Sequence, residues 1–138
     1  MAHILLVDDE PEVLNAISRV LRKDYKISKA NGAHEALKLI ADNEFDIILS
    51  DIRMPNMDGI ELLTQIKRTN PEIARVLLSG YSDMDACQKA IEDEVASIIL
   101  TKPWDNFELK NILKITLKAQ QLEIENNQLK AQLRAQIA

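Results

Sequence analysis

The sequence is short of the residues from which many sites are built. Cys87 is its only cysteine, which excludes an internal disulfide and a cysteine-based zinc site. Set in a helical pattern, it reads as a partly buried structural thiol. Three glycines occur, with no G-x-x-x-x-G-K among them, so no nucleotide-cradling loop is present. The longest apolar runs are four residues, as at Ile4 to Val7, too short to span a membrane. No signal-peptide pattern opens the chain, and a cytoplasmic location is expected. Lys and Arg number 17 against 22 Asp and Glu, a net charge of −5; that argues against direct nucleic-acid binding by this segment. What is abundant is apolar. Hydrophobic residues make up 46% of 138 residues, enough for the core of one domain with an appended helix.

Short apolar strands alternate with amphipathic helices five times. The strands read as 3–7, 25–29, 45–50, 73–78 and 97–101, and the helices as 11–23, 33–42, 58–68, 83–93 and 105 onward. In the first helix Val13, Ala16, Ile17, Val20 and Leu21 recur at helical spacing, one face for a core. Regular strand–helix alternation predicts an α/β fold, a doubly wound five-stranded parallel sheet covered on both faces. Four strands carry apolar runs. Tyr25-Lys26-Ile27-Ser28-Lys29 instead alternates, which places the second strand at an edge and suits the flavodoxin-like order 2-1-3-4-5.

In such sheets ligands bind beyond the carboxyl ends of the strands, at the switch point between strands 1 and 3. Strand 1 ends in Asp8-Asp9, strand 3 in Asp51, strand 4 in Ser79-Gly80, and strand 5 in Thr101-Lys102-Pro103. Three acids, a hydroxyl and a lysine are thereby expected at one rim. Clustered carboxylates raise one another's pKa, and a cation would relieve them. Oxygen donors without histidine or thiolate suit Mg²⁺. An acid beside Mg²⁺, a lysine and a serine is equipment for phosphoryl transfer, in which positioning and charge neutralisation supply most of the catalysis. Asp51 is then the nucleophile, forming an aspartyl-phosphate. Lys102 and Ser79 hold the phosphoryl oxygens, and the small Gly80 lets backbone approach them. Singly, each residue has an ordinary explanation: a helix N-cap for Asp8 or Asp9, a turn start for Asp51, a solvated charge for Lys102, a loop hydroxyl for Ser79. Their coincidence at four strand ends outweighs these. His3 and His34 have no partners at useful spacing and receive no function.

The segments LLVDDE, DIILSDIRMPNMDGIELL, LLSGY and LTKPW resemble the receiver domain of bacterial two-component response regulators, over residues 3 to about 118. The resemblance implies phosphoryl transfer to Asp51 from the phosphohistidine of a sensor histidine kinase or phosphotransfer protein. It implies Mg²⁺ held by Asp9, Asp51 and the backbone carbonyl of Arg53, with Asp8 acting through a metal-bound water. It also implies Ser79 moving toward the phosphoryl group and a cis Lys102–Pro103 bond. One position departs: the family's aromatic three residues before the lysine is Ile99 here, which cannot make the same inward rotation or offer a hydroxyl. Arg53 and Tyr81, two residues past Asp51 and Ser79, are expected at the mouth of the site, where they could gate attacking water.

The helical pattern continues past residue 118. Ile112, Ala119, Asn126 and Leu133 at a, with Ile115, Leu122, Leu129 and Gln136 at d, form a heptad seam; leucines at d and one asparagine at a describe a parallel dimer. Lys118 would meet Glu123, and Glu125 would meet Lys130, across it. We therefore expect a receiver at 1–118 and, at 119–138, a coiled coil or linker to an output domain absent from this segment. The module is expected to be a signalling switch and not an enzyme. The rivals are a free-standing phosphohydrolase using Asp51 as nucleophile, which would need a general acid where Arg53 stands, and a single-domain scaffold without a separate output. A zipper-type DNA binder would need a basic region before Ala119, where only Lys110, Lys114 and Lys118 occur along the helix.

Overall fold

Five strands and five helices alternate along the chain: β1 His3–Val7, α1 Pro11–Leu21, β2 Lys26–Ala30, α2 Ala33–Asp42, β3 Ile47–Asp51, α3 Gly59–Thr69, β4 Ala74–Ser79, α4 Met84–Glu92, β5 Ile98–Thr101 and α5 Asn106–Ile137. The computed structural model describes residues 1–137, apart from the side chain of Tyr81. Every strand pair is parallel and the order is β2-β1-β3-β4-β5, the doubly wound arrangement expected from the alternation. The least apolar strand is at the edge. In β2 only Ala30 is buried, whereas all five residues of β3 are.

Because side chains alternate across a strand, the sheet divides its apolar residues between two cores. Leu5, Val7, Ile48 and Leu77 face the layer of α2, α3 and α4, where Leu62, Leu63 and Ile66 close over them. Ile4, Leu6, Ile47, Leu49, Val76, Leu78 and Leu100 face α1 and α5, meeting Leu14, Ile17, Leu21, Leu109 and Leu113. Cys87 is buried in the first of these cores, deeper than the partial burial expected of it.

Strand 2 starts one residue later than the pattern suggests, because the Tyr25 N–H donates to Leu21 O at 3.1 Å and so completes the end of α1 instead of joining the ladder. Past the sheet, α5 continues without a break through 118 and 119. Gln120 pins it to the opposite end of the sheet from the strand carboxyl ends: its amide donates to Asp46 O at 2.7 Å and to Glu72 O at 2.6 Å. From residue 121 to 137 the helix is exposed all round, and among the described residues no helix is long and apolar enough to cross a membrane.

Candidate functional site at the strand carboxyl ends

The parallel sheet carries β1, β3, β4 and β5 to the same edge, and Lys102 gathers what they bring. Its Nζ lies 3.2 Å from Asp51 Oδ1 and 3.4 Å from Asp8 Oδ2. Both acids are buried, with side chains 2% exposed for Asp8 and 10% for Asp51. The lysine reaches them because the Lys102 N–H donates to Ser79 O at 2.8 Å, fixing the start of its loop against β4. The Lys102–Pro103 peptide bond is cis. Asp8 Oδ1 accepts from the Glu10 N–H at 2.9 Å, and Asp51 Oδ1 from the Ile52 N–H at 3.0 Å. Asp8 therefore shapes the turn before α1 and does not cap it.

Burial dominates the electrostatics of the acids. It pushes the Asp8 carboxyl above its ordinary range, with Asp51 adding to the rise and the Glu10 N–H and Lys102 opposing it. Asp51 is likewise raised by burial, against the pull of Lys102. For the lysine, burial works against its charge, but Asp51 and Asp8 together outweigh that and hold the ammonium above its usual value. One cation between two desolvated anions leaves local negative charge uncompensated.

Glycine at 59 is required by the site itself. A Cβ there would run into the carbonyl of Asp51, since the Gly59 N–H donates to Ile52 O at 2.8 Å and draws the start of α3 against the end of β3. Asn56, between them, takes a left-handed conformation at φ 73°, which asparagine tolerates better than most residues. Asp58 caps α3 by accepting from the Glu61 N–H at 2.8 Å.

Ser79 is buried and its hydroxyl donates to Gly80 O at 2.9 Å, within its own loop. A Cβ at Gly80 would meet nothing within 4 Å, so the protein's own packing does not demand its small size. Arg53 turns from the acids toward the loop before α4, with Nε 2.9 Å from Asp83 Oδ1. Ile99 is partly buried against the core under α2–α4. The reading of Tyr81 as a gate falls on a side chain outside the described residues.

For a cation, Asp8, Asp9 and Glu10 present carboxylate oxygens that all lie within 4.8 Å of one another. Glu10 was not singled out from the sequence. Asp51 is not a member of that group; it joins the site through Lys102. The donors are all carboxylate oxygens, with Asp8 buried and Asp9 and Glu10 exposed, and such a set fits a hard cation.

The family model for the response regulator receiver domain matches residues 4–114. The chain belongs to that family. Among curated proteins, the receiver is 30% identical over 133 residues to the hydrogenase transcriptional regulatory protein HoxA of Cupriavidus necator, an alignment covering 96% of this chain and 28% of that protein. It is 36% identical over 103 residues to the transcriptional regulatory protein ZraR of Klebsiella oxytoca, covering 74% of this chain and 23% of that one. The chain thus spans about a quarter of the length of these relatives. Among solved structures, the signal receiver domain of an HD domain-containing protein from Pseudomonas fluorescens Pf-5 superposes with a TM-score of 0.84 at 36% identity, over 90% of this receiver and 92% of that chain.

Proposed function

We propose that, in the cytoplasm, Asp51 accepts a phosphoryl group from the phosphohistidine of a sensor histidine kinase or phosphotransfer protein, and that this controls the output of a larger signalling protein. The observation that carries the assignment is Lys102 Nζ, held 3.2 Å from Asp51 and 3.4 Å from Asp8 at the strand carboxyl ends. In the transfer a carboxylate oxygen of Asp51 attacks phosphorus as the N–P bond breaks, and the imidazole keeps the electron pair of that bond. Lys102 neutralises charge on the phosphoryl oxygens. The Ser79 hydroxyl, leaving Gly80 O, donates to one of them. Mg²⁺ would be held by Asp9, Asp51 and the Arg53 carbonyl, with Asp8 and Glu10 as neighbouring oxygen donors, and supplies charge neutralisation for the transferring group.

The decisive experiment is mass measurement after incubation with acetyl phosphate and Mg²⁺. One phosphoryl group, removable by hydroxylamine, is expected on the wild type and none on Asp51→Asn. The same labile group on Asp51→Asn would refute the assignment. The phosphohydrolase alternative finds no support, since the residue two past Asp51 is an arginine held by Asp83.

The exposed end of α5 supports a parallel homodimer as the structural output. Leu122 is 57% exposed and Leu129 62%. Ile112, the first seam position, packs against the core of α1 and α5, but at about 100° per residue Ile115, Leu122, Asn126 and Leu129 lie roughly 140° around the helix from the face of Leu109, Leu113 and Thr116 that the sheet covers. A second copy can therefore occupy the seam without displacing the receiver. The charges Lys118 with Glu123, and Glu125 with Lys130, would set orientation more than strength.

A further inference from the structure

Helices α3, α4 and α5 each begin behind an aspartate, but only two of those aspartates cap their helix. Asp58 Oδ1 accepts from the Glu61 N–H at 2.8 Å and Asp105 Oδ1 from the Phe107 N–H at 2.7 Å. Asp83, at the N-cap position of α4, ends a 3-10 turn at Tyr81–Asp83 and makes no capping bond; its backbone, at φ −108° and ψ 16°, is not the extended one of Asp58. Its Oδ1 is 2.9 Å from Arg53 Nε instead, and its side chain is 12% exposed where the arginine's is 70% exposed. A second contact, Arg53 Nη2 to Ser82 Oγ, is long at 3.5 Å. The carboxylate thus has two possible partners, the guanidinium and the first-turn N–H groups of its own helix.

The two uses are of similar worth. Aspartate is among the best N-caps, and an ion pair to a largely exposed arginine is weak. A modest bias, with the Asp83 backbone turning to the extended form of a capping residue, is therefore enough to move Asp83 from one to the other. Such a bias is available at Asp51, two residues before Arg53. A phosphoryl group there carries up to two negative charges and several acceptor oxygens, for which a guanidinium is a well-matched donor.

We propose that Asp83 is a two-position switch: it holds Arg53 in the resting receiver, and caps α4 once Arg53 is drawn toward a phosphoryl group on Asp51. Resting and phosphorylated proteins would then differ in the order of the first turn of α4. The second half of this proposal rests on Asp51 being the phosphoacceptor; the first half does not.

Residue-resolved amide exchange by NMR on the full chain separates the two halves, reading the Asp85 and Ala86 N–H groups that a cap would engage. With no phosphodonor, Arg53→Ala should slow exchange at these amides by roughly 3- to 10-fold, the protection an N-cap ordinarily gives. Asp83→Asn, which can still cap but carries no charge for the arginine, should slow it similarly. The Arg53→Ala, Asp83→Ala double variant should show no slowing. Unchanged rates in Arg53→Ala, or equal slowing in the double variant, would overturn the competition. With acetyl phosphate and Mg²⁺, wild type should slow at the same amides and Asp83→Ala should not. Unchanged rates in wild type that mass measurement shows to be phosphorylated would overturn the coupling to Asp51. If no phosphoryl group is taken up, the phosphoacceptor assignment fails, and the resting comparison still decides the competition.

Discussion

Replacing Lys102 by alanine removes the one cation from between two buried carboxylates, and the geometry sets the scale of the loss. Contacts of 3.2 and 3.4 Å correspond to roughly 5 kcal/mol each at an effective dielectric of about 20, before desolvation is charged against them. Most of that gross attraction is offset by desolvation of the ammonium and the acids, and taking one partner out of a buried pair costs about 3–5 kcal/mol. The lysine side chain is 26% exposed, so water can enter the gap; we expect about 2–3 kcal/mol at neutral pH without divalent cations. Urea unfolding measures this directly. Asp51→Asn in the Lys102→Ala background should recover a large part of the loss, since it removes one of the two stranded charges. The deficit should also shrink on acidification. Both acids have raised pKa values in the folded protein, so their contribution to stability is complete below the ordinary carboxylate value and is lost as pH rises through the raised one. A Lys102→Ala loss below about 0.5 kcal/mol, or no recovery with Asp51→Asn, would show that Lys102 does not balance these charges.

Three further outcomes are expected. Gly59→Ala should destabilise the receiver by about 1–3 kcal/mol or more in urea unfolding, because its methyl group meets the backbone of Asp51; a neutral effect would contradict the close approach. Mg²⁺ affinity, followed by calorimetry, should fall as pH is lowered through the raised carboxyl values, since protonated acids cannot ligate, and a pH-independent affinity would count against Asp8 and Asp51 facing the ion. In sedimentation, Asn126→Leu should strengthen association and loosen its stoichiometry, while Leu122→Asp should give monomers by burying unpaired charge; monomers throughout, phosphorylated or not, would mean the seam is a solvated face.

Strand order and the rim of the site are legible in the sequence because each follows from a local pattern. The alternation in Tyr25–Lys29 marks an edge, and the polar residues ending four apolar strands meet once the strands are parallel. Contacts that hang on one long-range pairing are not legible. Asp83 reads as one more helix-starting aspartate, and nothing local reveals that an arginine 30 residues earlier takes its carboxylate. Gln120 is polar in a polar stretch, and its bonds to Asp46 O and Glu72 O reach back 74 and 48 residues. Glu10 could have been found: it directly follows Asp8-Asp9, and the turn made by Asp8 with the Glu10 N–H folds its carboxylate back toward theirs.

The unbroken run of α5 past Gln120 makes angular phase a property of this protein. A rigid helix joins a fixed point on the sheet to its far end, so each inserted residue turns everything beyond it by about 100° and moves it about 1.5 Å along the axis. Seven residues nearly restore the original bearing. Insertions after Gln120 should therefore act periodically: one that adds a heptad would leave the proposed seam near its original bearing to the receiver, and one that adds two or five residues would turn it roughly 140–200° away. The receiver's message would be carried as orientation, and the spacing of the helix is part of its content.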